Sequence, residues 1–220
     1  MRKEDIPVIA RNALSDLMSE SGGILYSSHE TLKKGDVYLL GFNPGGSGGP
    51  SIEESVEEIL SSEINAYLDE SWSNGNGSWG AGEATLQRRI VYLLNELGLE
   101  PREVCSSNLI FVRSRDEAGV DYSLAKQCWP VHEAIIELVQ PKLILAFGNS
   151  DKSSYGYLRK LLNGKENSEW SGHGNWDVKG FETELNGRDI YVAGIPHLSR
   201  YSPEGKQSVI QWLKSHLNGR

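Results

Sequence analysis

The sequence predicts an α/β protein: a three-layer α/β/α sandwich around a central, mainly four-stranded parallel sheet. Three observations carry that expectation. Short apolar runs alternate with segments of helical length, the pattern of a parallel sheet covered by helices on both faces. Each apolar run stops at a polar or glycine-rich turn. A chain of 220 residues suffices for one sizeable core and is short for two, so residues 1–220 read as a single domain without internal repeat or linker.

Taken in order, Ile6 to Met18 reads as the first helix and Asp36 to Gly41 as the first strand. A helix is expected from Ser51, a good N-cap, to Leu68. Asp69 to Gly82, rich in Ser, Gly, Asn and Trp, reads as a loop. A helix over Ala84 to Leu97 then leads to the second strand, Val104 to Val112. The helix from Ser123 to Val139 precedes the third strand, Lys142 to Phe147, and Ser154 to Leu162 is helical again. Lys165 to Gly180 shares the loop composition of the earlier segment, and one of the two loops is suited to act as a lid. The Asn186-Gly187 pair signals a hairpin, so an antiparallel edge strand is expected before the fourth strand, Asp189 to Ala193. Pro203 to Leu217 closes the chain as a helix.

Composition excludes several classes. Apolar residues make up 38% and charged residues 24%, and no run approaches the roughly 18 apolar residues of a membrane helix. Residues Met1 to Glu20 mix charges among their apolar positions, unlike a secretion signal, so a cytoplasmic, membrane-free monomer is expected. Two cysteines, Cys105 and Cys128, are too few for a disulfide framework or an iron–sulfur cluster and read as reduced core residues. His197 has no neighbouring His or Cys at ligand spacing, so neither metal nor cofactor is expected. The net charge of −8 runs against phosphate binding, and part of it lies in Glu53 to Glu70, where no Lys or Arg intervenes. A small enzyme gripping a few nucleotides needs only a local basic surface.

The most informative segment is Gly41-Phe-Asn-Pro-Gly-Gly46, between the first strand and a helix. A glycine loop there means close backbone approach to a ligand, although neither a Walker loop nor a dinucleotide fingerprint is present. Ser106-Ser-Asn-Leu-Ile-Phe111 places Asn108 in an otherwise apolar strand, where an amide is bonded in the core or aimed at a ligand. Cys128-Trp-Pro-Val-His132 opens a helix that runs into the third strand and ends at Gly148. Gly194-Ile-Pro-His-Leu-Ser-Arg-Tyr201 lies between the last strand and the last helix.

Together, in this order, these segments resemble the uracil-DNA glycosylase superfamily, particularly its Gly-x-Asn-Pro-Gly mismatch-specific and single-strand-selective types. The likeness runs from about Val37 to Leu217. It implies the family's α/β/α fold and a DNA glycosylase of base excision repair, a hydrolase that cuts the N-glycosidic bond of uracil or a related damaged base. By the same resemblance Asn43 and His197 are the catalytic residues. Gly41, Phe42, Gly45, Trp79 and Asn108 line the base site, with Asn108 reading the pyrimidine edge and Trp79 as the stacking ring. Ser199, Arg200 and Tyr201 fall where the family contacts DNA. Leu198 stands in place of the usual proline of the His-Pro-Ser motif, and Gly45 in place of the tyrosine that excludes C5-methyl groups in the uracil-specific family.

These residue types suit that chemistry. Breaking the glycosidic bond puts positive charge on the sugar and negative charge on the departing base, so donors near the base lower the barrier without a nucleophilic side chain. His197 is expected to donate to the base, Asn43 to orient a water, and DNA carrying a damaged base is the expected partner, its target nucleotide flipped from the stack. Two alternatives remain: a superfamily member that binds nucleic acid without cutting it, and a protein acting on a free nucleoside or other small ligand, which the acidity favours.

Overall fold

The protein is described from a computed structural model covering residues 1–74, 77–115, 119–174 and 176–218. The helices are α1 (Ile6–Ala13), α2 (Ile52–Glu58), α3 (Thr85–Glu96), α4 (Leu124–Val139), α5 (Ser154–Leu161) and α6 (Gln207–Leu217). The strands are β1 (Val37–Gly41), β2 (Trp72–Asn74), β3 (Gly77–Trp79), β4 (Cys105–Asn108), β5 (Leu143–Phe147), β6 (Asn167–His173), β7 (Trp176–Leu185) and β8 (Arg188–Ile195). The main sheet has six strands in the order β4-β1-β5-β8-β7-β6, and β2 pairs with β3 in a separate hairpin. The strands β4, β1, β5 and β8 run parallel, while β7 and β6 extend the sheet antiparallel. None of the described helices is long and apolar enough to cross a membrane.

Strand period two divides the core between the faces of the sheet. Tyr38 and Leu40 of β1 join one apolar cluster with side chains of α1, α2, α4 and α5. Val37 and Leu39 join another with α3 and α6. Because both faces are covered, β1 and β5 are buried at every position, which explains their unbroken apolar runs.

The predicted hairpin forms as expected: Asn186 and Gly187 have φ of 53° and 73°, the positive pair a type I′ turn requires, and Leu185 pairs with Arg188. Other expectations need correction. Lys165 to Gly180 is largely strand rather than loop, since β6 and the first half of β7 extend the sheet. The glycine there serves packing: a Cβ on Gly180 would lie 2.3 Å from the Tyr191 hydroxyl oxygen, so only glycine lets that ring cross β7. Asp69 to Gly82 contains the β2–β3 hairpin, where Trp72 pairs with Trp79. The helix expected to reach Leu68 stops at Glu58. Beyond it buried Asn65 accepts from the Tyr67 N–H at 3.0 Å, and Asp69 accepts from the Asn65 N–H, local bonds that compete with a helical ladder. The first helix ends at Ala13, short of Met18. The last begins at Gln207, four residues after Pro203.

A buried polar bridge ties α4 to the sheet. His132, fully buried, has Nε2 3.0 Å from the Leu109 carbonyl and Nδ1 2.8 Å from the Tyr38 hydroxyl. A carbonyl only accepts, so Nε2 carries the proton and Nδ1 accepts from Tyr38. This bridge anchors the chain immediately after Asn108.

Candidate functional site

Gly41 ends β1 directly beside Asn108 of β4 and is followed by the loop that the sequence singles out. The loop is fastened along its length. Gly41 O accepts from Leu109 N at 2.9 Å and from Ser154 Oγ at 2.5 Å, Phe42 O from Ile110 N at 2.9 Å, and Pro44 O from Ser114 N at 3.0 Å. Gly46, Gly48 and Gly49 have φ of 90°, 77° and 100°, left-handed backbone that favours glycine. Asn43, half-buried, donates Nδ2 to the Pro44 carbonyl at 2.8 Å, which commits its donor end to the loop and leaves Oδ1 as the end suited to receive a water's hydrogen. Phe42 packs on Leu109 and Ile110, its ring 6.2 Å from that of Tyr122. Gly45 is exposed, and a Cβ there would meet nothing within 4 Å.

Asn108 is 4% exposed, and its Nδ2 is buried without a hydrogen-bond partner. Two residues that the sequence analysis did not single out belong to this end of the sheet: Tyr26 beside the Asn108 amide, and Arg113 beside Tyr26. Tyr26 enters because Gly22 and Leu25 bridge to Val112 and Ser107; a Cβ on Gly22 would lie 2.2 Å from the Phe111 carbonyl oxygen, so the approach requires glycine. Burial pushes the Tyr26 hydroxyl up to about 12, Arg113 pulling it down and Glu70 up, with the Asn108 amide on the lowering side. Arg113 donates from its guanidinium to the Gly45 carbonyl at 2.5 Å and packs against Gly49, while its Nε is buried without a partner. The Gly22-Gly23 pair was the only signal in the sequence that this segment makes a close approach.

His197 lies two residues beyond β8. Its Nδ1 is 3.2 Å from the Ser199 N–H and 2.8 Å from Ser199 Oγ. A backbone N–H only donates, so in the neutral ring Nδ1 accepts and Nε2 carries the hydrogen. The His197 ring meets Phe147 edge-on at 5.5 Å, and the Phe147 Cζ would lie 2.7 Å from a Cβ on Gly41. Asn108, Gly41, Phe147 and His197 therefore follow one another across the carboxyl ends of β4, β1, β5 and β8, where open α/β sheets bind ligands.

Leu198, where the resemblance expects proline, is fully buried, and its carbonyl accepts from Arg89 at 2.7 Å. It is an apolar peg under the His197 turn, which Arg200 N and Tyr201 N close by donating to the His197 carbonyl. Ser199 and Arg200 are exposed. Tyr201, expected at the DNA surface, is instead 0% exposed within the α3 and α6 core cluster. Its ring is a packing group, which leaves Arg200 and Ser199 as the outward residues of that turn.

Trp79 pairs across its hairpin with Trp72, which meets Tyr67 edge-on at 6.0 Å, and Tyr67 lies 5.8 Å from Tyr26. Trp79 thus connects through Trp72 and Tyr67 to Tyr26, the ring beside the Asn108 amide. Among the described residues no cluster of three or more His, Cys, Asp or Glu side chains is placed to hold a metal. No protein-family model and no curated protein matches the chain.

Proposed function

We propose that this chain is a uracil-DNA glycosylase-like enzyme that hydrolyses the N-glycosidic bond of uracil or a related damaged base in DNA. The observation that carries the reading is the sequence of Asn108, Gly41, Phe147 and His197 along one sheet end, with the His197 hydrogen on Nε2. Asn108 holds the base edge through its unpaired amide. His197 Nε2–H donates to the carbonyl oxygen on which negative charge grows as the bond lengthens. Asn43 Oδ1 orients a water toward the anomeric carbon; the water oxygen bonds to that carbon, the glycosidic electron pair leaves with the base, and the water's proton passes to base or solvent. Asparagine does not ionise, so it positions the water without deprotonating it and slow turnover follows. Exposed Arg200 beside His197 supplies local positive charge for a flanking phosphate.

The net charge of −8 favours a second reading, a protein that takes a free nucleoside. Single- and double-stranded oligonucleotides carrying uracil, C5-substituted uracils or deaminated purines separate the two. Enzyme in excess, followed by alkaline cleavage and gel analysis, gives an abasic site with at least one of them if the glycosylase reading holds. Folded protein that releases no base from any would overturn it.

A further inference from the structure

A charged side chain from the helical layer holds the His197 turn. Arg89 lies on α3, whose Ile90 and Leu93 share a buried apolar cluster with Leu198 and Tyr201. Its half-buried guanidinium donates to the Leu198 carbonyl at 2.7 Å. Among the described residues it forms no ion pair. Charges taken out of water are usually paired with an opposite charge. Arg89 instead spends a charge-assisted bond on one backbone oxygen 109 positions away, so the bond fixes the path of that turn.

The turn's geometry shows which atoms that bond controls. The Arg200 N–H donates to the His197 carbonyl at 2.9 Å, and neither Leu198 nor Ser199 has a positive φ, which makes residues 197–200 a type I turn. Its central peptide carries the Leu198 carbonyl at one end and the Ser199 N–H at the other, and because the unit is planar the two rotate together. Arg89 holds the carbonyl. The N–H donates to His197 Nδ1 at 3.2 Å, the contact that puts the ring's hydrogen on Nε2. Flipping this peptide gives a type II turn, with the N–H turned away from the ring. We infer that Arg89 is a positioning residue for the His197 donor: by clamping the central peptide of the turn it keeps the Ser199 N–H on Nδ1 and the hydrogen on Nε2. Its effect on catalysis rests on the glycosylase reading, whereas its hold on the tautomer does not.

Imidazole nitrogen NMR shifts of His197, recorded on the whole protein at a pH where the ring is neutral, read the tautomer without substrate. Arg89→Met is expected to move them from the Nε2–H pattern toward a mixture of tautomers. Arg89→Lys, which keeps a donor, should restore most of the pattern, and Arg89→Ala serves as the truncation should Arg89→Met not fold. In single-turnover assays on an oligonucleotide that the unsubstituted protein cleaves, Arg89→Met should slow base release by about tenfold while DNA affinity changes by less than about threefold. A type II turn needs positive φ at its third residue, which glycine adopts and alanine resists. With Arg89 in place, Ser199→Gly and Ser199→Ala should therefore differ by no more than about threefold; in the Arg89→Met background the glycine variant should be about tenfold slower than the alanine variant. Unchanged ring signals in folded Arg89→Met, or equal rates for the two Ser199 variants in that background, would overturn the inference. A tautomer shift in a protein that releases no base from any substrate would leave the clamp standing and sink only the glycosylase reading.

Discussion

A Cβ on Gly41 would lie 2.1 Å from Oδ1 of Asn108, its register partner on β4. The φ of Gly41 is not among the positive ones, so this glycine is required by contact rather than by backbone strain. Phe147 closes the other side at 2.7 Å, so a methyl group displaces the amide, the ring, or both. Gly41→Ala is expected to weaken 2′-deoxyuridine binding and slow any base release by about tenfold or more, since catalysis of this type depends on ångström-level placement. Parallel thermal melts and nucleoside titrations check it: unchanged binding by the folded variant would show that the amide does not hold the ligand.

The His132 bridge predicts an acid-sensitive fold. Burial holds its pKa down at about 4, against an ordinary 6.5, with carbonyl contacts from Leu109 and Asn108 opposing the shift. Between these values the unfolded chain binds a proton that the native chain refuses. The stabilisation is therefore complete above 6.5, falls as pH drops through the unfolded value, and levels off below about 4. The full loss is on the order of 3 kcal/mol. Urea unfolding at pH 7.5 and 5, with the His132 ring followed by NMR, checks both parts. A ring already protonated at pH 5 in the folded protein would contradict them.

The parallel half of the fold was legible because its evidence is local. Runs such as Val37 to Gly41 and Leu143 to Phe147 are buried on both faces and need no partner to be recognised. The Gly41 to Gly46 loop was equally legible, being one continuous string. Tyr26 and Arg113 were not, because neither sits in a motif and each is placed by a long-range bridge, Leu25 to Ser107 for Tyr26 and Gly45 to Ser114 for Arg113. The β6–β7 extension was hidden by its Gly, Ser and Asn content. Its strand character comes from pairing with β8, a tertiary effect that composition does not record. Tyr201 is misplaced by the sequence for a related reason: an aromatic beside an exposed arginine looks like a surface pair, whereas the turn after His197 buries Leu198 and Tyr201, three residues apart, and leaves Ser199 and Arg200 outside.

The His197 turn separates chemistry from scaffolding. Under the glycosylase reading His197→Ala removes one preorganised donor and is expected to slow base release by roughly a hundredfold or more, with DNA affinity changed far less. Ser199→Ala removes the hydroxyl but keeps the backbone N–H that sets the ring's tautomer, so its cost is only a few-fold. Leu198→Ala leaves a cavity beneath the turn and destabilises the fold by about 2–5 kcal/mol. Single-turnover kinetics with melting curves resolve the three. Equal losses in kcat for His197→Ala and Ser199→Ala would argue that the ring's placement, rather than its Nε2 hydrogen, is what matters.

Gly45 offers the sharpest test of substrate range. Its Cβ position is open for 4 Å, its φ is not positive, and the bond that its carbonyl accepts from the Arg113 guanidinium uses only its backbone. A large residue therefore fits without strain. If the base sits against this loop, as the resemblance implies, Gly45→Tyr places a ring where a substituent on C5 would point. The expected outcome is selective: release of C5-substituted uracils falls at least about tenfold relative to plain uracil, because a steric clash acts on one substrate and not on the other. Stability should move by no more than about 0.5 kcal/mol, as for an exposed substitution away from special contacts. Rates measured on matched oligonucleotides under single-turnover conditions give the ratio directly. A uniform loss on both substrates would mean the ring disturbs the loop or its DNA contact, and an unchanged ratio would mean that C5 points elsewhere, which would remove Gly45 from the base site.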